Sequence, residues 1–107
     1  MSNVTPVTDA TFAAEVLGAP GPVLVDYWAD WCAPCRQLTP VIDELAQKYD
    51  GQVKFVSVDT NANTATAAAQ DVRTLPTVQI IQNGEVVEAI VGSVTKMKLR
   101  QALEAVA

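Results

Sequence analysis

Val25-Asp26-Tyr27-Trp28-Ala29-Asp30-Trp31-Cys32-Ala33-Pro34-Cys35 concentrates the chemistry of this 107-residue chain into eleven positions. Val23–Trp28 reads as a strand, apolar on both pleat faces, which suits a central strand covered on both sides. From Pro34 to Tyr49 the residues Leu38, Val41, Ile42, Leu45 and Tyr49 fall on one helical face. Pro34 fits the first turn of that helix, where its missing N–H costs nothing. Pro40 should kink the helix, because its ring removes a donor and clashes one turn back. The two cysteines occupy the strand-to-helix junction, Cys32 just before the first turn and Cys35 within it. Residues three apart on a helix share a face, so the two sulfurs can meet. The unpaired N–H groups and positive dipole end of the helix favour an anion at Cys32, lowering its thiol pKa and making it the attacking thiolate. Cys35 is expected to be less exposed and less stabilised, which suits a resolving role.

Other uses of a Cys-x-x-Cys pair compete with redox chemistry. As a staple, a four-residue ring contributes only about 2 kcal/mol by chain entropy, against about 4.7 for a hundred-residue loop. As a zinc site it supplies two ligands, and the chain has no histidine, so the others would be carboxylates or come from a second chain. Two inert core thiols sit poorly with the flanking Trp31 and Pro34. Redox exchange is the favoured reading.

Working outward, Thr8-Asp9 can cap a first helix carrying Phe12, Val16 and Leu17, stopped by Gly18, Pro20, Gly21 and Pro22. Val53–Val58 reads as a strand, and Asn61 or Asn63 as the cap of a short Ala-rich helix reaching about Gln70. Thr77–Ile81 and Val86–Val91 flank Asn83-Gly84, a hairpin signal that makes them antiparallel neighbours. Gly92 ends the sheet. Ser93 or Thr95 opens a last helix with Leu99, Ala102, Leu103 and Val106 on its buried stripe. A short strand at Val4–Val7 completes the pattern. Strand–helix–strand crossovers are expected to be parallel and right-handed. The expectation is an α/β fold, with a central mixed β-sheet flanked by helices on both faces.

Composition narrows the classes. Half of the residues are apolar and 18% charged, enough to bury one core at this length without metal or staples. The net charge of −5 argues against nucleic acid and anionic membrane as partners. The absence of histidine excludes Cys-His and Ser-His dyads within one chain. No apolar run reaches the roughly 18 residues of a membrane span. Met1–Pro6 has neither a basic nor an apolar leader region, so a cytoplasmic location is expected, where structural disulfides are rare.

The segment Val25–Cys35 resembles the active-site stretch of the thioredoxin family. Pro40, Thr74-Leu75-Pro76-Thr77, Asn83-Gly84 and Val91-Gly92 recur in that family's order and spacing, and the resemblance covers the whole chain. It implies a thioredoxin-like fold and one thioredoxin domain over residues 1–107. The implied activity is that of a general protein-disulfide reductase working by dithiol/disulfide exchange. Cys32 would attack a substrate disulfide and Cys35 would resolve the mixed disulfide. Electrons would come from NADPH through thioredoxin reductase, and the protein would bind no cofactor or metal beyond its own redox-active Cys32–Cys35 disulfide. Implied partners are the reductase and disulfide-containing target proteins, with the chain itself a monomer. A redox-independent binding subunit using the same apolar surface is the alternative.

By the same resemblance Pro76 would be cis and face the cysteines, freeing the Leu75 backbone to pair with a substrate strand. Trp31, Ala33, Pro34, Leu75, Pro76, Val91 and Gly92 would form the surface that accepts the partner, with Trp28 packed beneath it. Asp26, a carboxylate in a strand apolar on both faces, should be buried, with its pKa raised by desolvation. It would take the proton from Cys35 through a water and return it. Two positions depart from the family pattern. Ala33 stands where glycine is usual, adding a methyl that disfavours positive φ. Ser57 stands where a lysine usually lies close to the aspartate, so Asp26 should have the higher pKa here. Ala33-Pro34 places no charge beside the thiols. The dithiol is therefore expected to donate electrons, which favours reductase over oxidase or isomerase.

Overall fold

β-branched and aromatic runs dominate the middle of the chain, and they pair into one five-stranded sheet. A computed structural model describes residues 3–107; of the Val4–Val7 strand expectation, Val4–Pro6 is strand. The strands are β1 (Val4–Pro6), β2 (Val23–Trp28), β3 (Lys54–Asp59), β4 (Thr77–Gln82) and β5 (Glu85–Val91), in the order β1-β3-β2-β4-β5. β1 and β2 pair parallel to β3, while β4 runs antiparallel to both β2 and β5. Helices α1 (Ala33–Lys48), α2 (Thr64–Ala69) and α3 (Lys96–Val106) supply the connections.

One expectation fails here. The β2–α1–β3 crossover is parallel as read, but β3–α2–β4 is not. Six helical residues advance only about 9 Å, whereas a six-residue strand is about 20 Å long. α2 alone therefore covers less than half the length of a strand, and the chain turns back at the same end of the sheet. β4 starts where β3 stops: Trp28 pairs with Asp59 on one side, and Tyr27 with Thr77 on the other. The C-terminal ends of β2 and β3 and the start of β4 thus share one end of the sheet, and the site lies there.

β2 is the central strand and is buried throughout except for the half-buried Trp28. Its alternating residues feed two cores. Leu24, Phe55, Val78 and Ile80 pack against Leu38, Ile42 and Leu45 of α1 and Leu99 and Leu103 of α3. On the opposite face Val25, Tyr27, Val56 and Val58 pack against Phe12, Val16 and Val72. Asp26 and Trp28, in step with Leu24, look toward α1. The Cα radius of gyration is 12.3 Å.

The first helix is shorter and differently capped than expected. A turn begins at Thr8, whose carbonyl accepts the Phe12 N–H at 2.9 Å, and a single π-helical turn follows over Ala13–Leu17. The Asp9 side chain does not cap it. Asp9 reaches instead to the start of α2 and accepts from the N–H and hydroxyl of Thr66 at 2.8 and 2.6 Å. Those bonds hold its carboxyl below the usual carboxylate range. Asn63 stands at the α2 N-cap position without capping by its side chain; its Oδ1 accepts the Asp9 N–H at 2.9 Å. Phe12 and Val16 of this turn are buried, whereas Leu17 is exposed. Pro40 sits inside α1, which runs without interruption from Ala33 to Lys48. At α3 the cap is Thr95, whose hydroxyl accepts the Lys98 N–H at 3.2 Å.

Candidate active site

β2 ends at Trp28 and the chain turns through Ala29, Asp30 and Trp31 into α1. Cys32 is the N-cap residue, with extended backbone (φ −93°, ψ 100°) and its Sγ accepting the Cys35 N–H at 3.2 Å. Pro34 lies in the first turn. Ala33 is the first helical residue and has no positive φ, so its methyl introduces no backbone strain. Cys32 and Cys35 form a disulfide with their Cα atoms 5.3 Å apart. The geometry is that of a thiol pair able to open and close on one helical turn. When it opens, the N–H that points at Cys32 Sγ and the dipole end of α1 are already placed to stabilise a thiolate there.

Burial does not distinguish the two sulfurs. Each cysteine is 3% exposed, against the expectation that Cys35 is the less exposed. Ala29, Trp28 and Leu75 pack onto the pair together and cover both. What separates them is position: Cys32 lies at the helix cap and Cys35 inside the helix, where its carbonyl accepts the Thr39 hydroxyl at 3.2 Å.

Beneath the pair lies a cavity of about 400 Å³, lined by Cys35 and Asp26 and by Trp28, Thr39, Asp43 and Ser57, among others. Asp26 is 6% exposed and in mid-strand, not at a solvated strand end. Its Oδ1 is a buried oxygen with no hydrogen-bond partner. Burial, assisted by the negative charge of Asp43, pushes the Asp26 carboxyl up to about 7. Ser57 is its register partner on β3 and brings no charge. Arg36 also lines the cavity, and its guanidinium donates to the Asp30 carbonyl oxygen. On the far side of β2, burial raises the Tyr27 phenol, whose hydroxyl donates to Gln79 Oε1 at 2.8 Å.

The residues expected to form the rim fall in separate surroundings. Trp31 is 69% exposed, not core, and its indole N–H donates to Asn61 Oδ1 at 3.3 Å. The Leu75–Pro76 bond is cis. Leu75 is half-buried and lies just before the ladder registers, which begin at Thr77. The Pro76 carbonyl accepts the Gly92 N–H at 2.9 Å, tying the end of the hairpin to the start of β4. Pro34, Pro76 and Gly92 share a groove with Gln37 and Thr95. Ala33 is exposed beside them. Val91, 57% exposed, lines a different groove between β5 and α3.

Sequence reading missed Asp43, Thr39 and Asn61. The first two were findable, since positions 35, 39, 42 and 43 recur on one face of a helix; nothing local connects Asn61 with Trp31. Among the described residues no group of three or more His, Cys, Asp or Glu is placed to hold a metal ion. No described helix is long and apolar enough to cross a membrane.

Comparison with known proteins agrees with this geometry. A family model described as Thioredoxin matches residues 3–105. The chain is 48% identical over 104 residues to Thioredoxin 1 of Nostoc sp., covering 97% of each. It is equally similar to Thioredoxin 1 of Synechococcus elongatus, again with 97% of each chain covered. It is 39% identical to the chloroplastic Thioredoxin M-type of Pisum sativum, over 97% of this chain and 60% of that protein.

Proposed function

Because the chain belongs to the thioredoxin family and is a protein-disulfide oxidoreductase, we propose that Cys32 is its nucleophile, Cys35 its resolving thiol and Asp26 the proton acceptor between them. The observation that carries this reading is the shared cavity. Cys35 and the buried Asp26, whose Oδ1 has no hydrogen-bond partner, line one space, while Cys32 holds the helix cap.

The reaction then runs in two displacements. The Cys32 thiolate attacks one sulfur of the target disulfide; a bond to Cys32 Sγ forms, the target's S–S bond breaks, and one target thiolate leaves and is protonated. Cys35 gives its proton to ionised Asp26 and attacks Cys32 Sγ. The Cys32–target bond breaks and the second target thiolate leaves. Two electrons have passed to the target, and the Cys32–Cys35 disulfide remains. A carboxyl with its pKa near 7 is about half ionised at neutral pH, so it can both take this proton and give it back.

Trp31, Ala33, Pro34, Leu75, Pro76, Val91 and Gly92 form the docking surface in this reading. The backbone of Leu75, ahead of the β4 ladder, suits pairing with an extended target segment. Residues 1–107 act as one domain and as a monomer. Electrons come from NADPH through thioredoxin reductase, with the disulfide pair as the only redox group. A carrier of this kind works where thiols are kept reduced, which places it in the cytoplasm.

NADPH oxidation with a bacterial thioredoxin reductase and insulin tests the scheme. Turnover in the wild type and its loss in Cys32→Ser is the expected result. Wild-type turnover that survives Cys32→Ser would remove Cys32 from the nucleophile's role. No turnover at all, with target binding retained in Cys32→Ser, would favour a binding subunit that uses the same surface without exchange.

A further inference from the structure

The cavity beneath the disulfide holds two carboxylates besides Asp26, Asp30 and Asp43, that the two-step exchange does not use. Cys35, Thr39, Ile42 and Asp43 of α1 line it at positions that recur on one helical face, so Asp43 lies two turns along α1 from the resolving cysteine. The elements around the cavity differ in the charge they bring toward Asp26. α1 contributes Arg36 and Asp43, the junction contributes Asp30, β1 contributes Val4 and β3 contributes Ser57. The strands beside Asp26 therefore supply no cation. The Arg36 guanidinium is engaged by the carbonyl oxygen of Asp30.

We propose that Asp43 is a positioning residue for the proton transfer: its carboxylate, facing Asp26 across the shared cavity, holds the Asp26 proton to higher pH and so sets the pH at which Cys35 can be deprotonated. This rests on the relay role given to Asp26 above and deepens it. The physical ground is that a like charge lining the same cavity disfavours a second negative charge, and the Asp26 Oδ1 has no donor to offset it. Asp43 is exposed, so salt should screen part of the interaction. A purely packing role would not respond to salt in this way.

The test is a carboxyl-carbon NMR titration of Asp26 in the oxidised protein, for wild type, Asp43→Asn and Asp43→Glu, at about 10 mM and about 500 mM salt. In Asp43→Asn at low salt the Asp26 midpoint should fall by about half a pH unit. Asp43→Glu should restore it, and the gap between wild type and Asp43→Asn should narrow at high salt. The pH profile of insulin reduction should move down with the midpoint. An Asp26 midpoint unchanged in Asp43→Asn overturns the proposal. So does a shift that Asp43→Glu shares in full or that salt leaves untouched. Asp26→Asn is measured alongside: a reduction profile that keeps its midpoint near 7 in that variant overturns the relay reading itself, whatever the titration shows.

Discussion

Asp26 illustrates how a single buried carboxyl can work against stability as pH rises. The unfolded chain releases this proton near 3.8, whereas the folded chain holds it to about 7. The folded state therefore binds more protons across that window, and stability declines as pH rises through it, levelling off above about 7. The difference corresponds to about 4 kcal/mol between pH 3 and pH 8. Asp26→Asn should leave stability nearly unchanged at pH 3 and raise it by about 2–4 kcal/mol at pH 8, measured by denaturant unfolding of the oxidised protein. An equal effect at both pH values would show that packing, not ionisation, is responsible. The burial of Asp26 was legible because Val23–Trp28 is apolar on both faces. The place of Asp43 on the same cavity was within reach too, since it shares a helical face with Cys35, but nothing local in the sequence shows that this face of α1 lies against Asp26.

At the scale of elements, local signals performed well where local chemistry decides the outcome. The Asn83-Gly84 turn has both residues at positive φ, 56° and 79°, as a two-residue hairpin requires. Thr95 caps α3 through its own side chain. An eleven-residue helix is marginal by itself, so this cap matters: Thr95→Ala should cost about 1 kcal/mol in urea unfolding, with α3 exchanging its amide protons faster than β2. Local reading failed where the partner lies far along the chain. Asp9, an apparent cap for its own helix, serves Thr66 fifty-seven residues away. The reversal between β3 and β4 was hidden as well, since α2 is only six residues long and the rest of the connection is irregular.

Across the whole molecule, stability comes from the two cores that sandwich the sheet, not from its surface charges. The ion pairs among the described residues, Lys54–Glu15, Arg73–Asp71 and Lys96–Glu44, all lie on the surface, where each contributes about 0–1 kcal/mol. The net charge of −5 brings a mild self-repulsion that salt relieves. Raising sodium chloride from about 0.05 to about 0.5 M should therefore leave the Tm unchanged or raise it by about 1–3 °C. A fall of more than about 5 °C in calorimetry would show that the surface pairs matter more than this.

The strand order has a further consequence for how the protein comes into being. β2 carries the chain into the cysteine junction, yet one of its two neighbours is β4, and the hydrogen bond that ties Pro76 to Gly92 closes only after the hairpin exists. A ribosome adding about 5–20 residues per second takes about 3–11 s to travel from Cys35 to Gly92. Leu75, which packs on the cysteines in the finished fold, is itself synthesised during that interval. The newborn protein thus acquires its pair of sulfurs before it acquires the residue that packs over them.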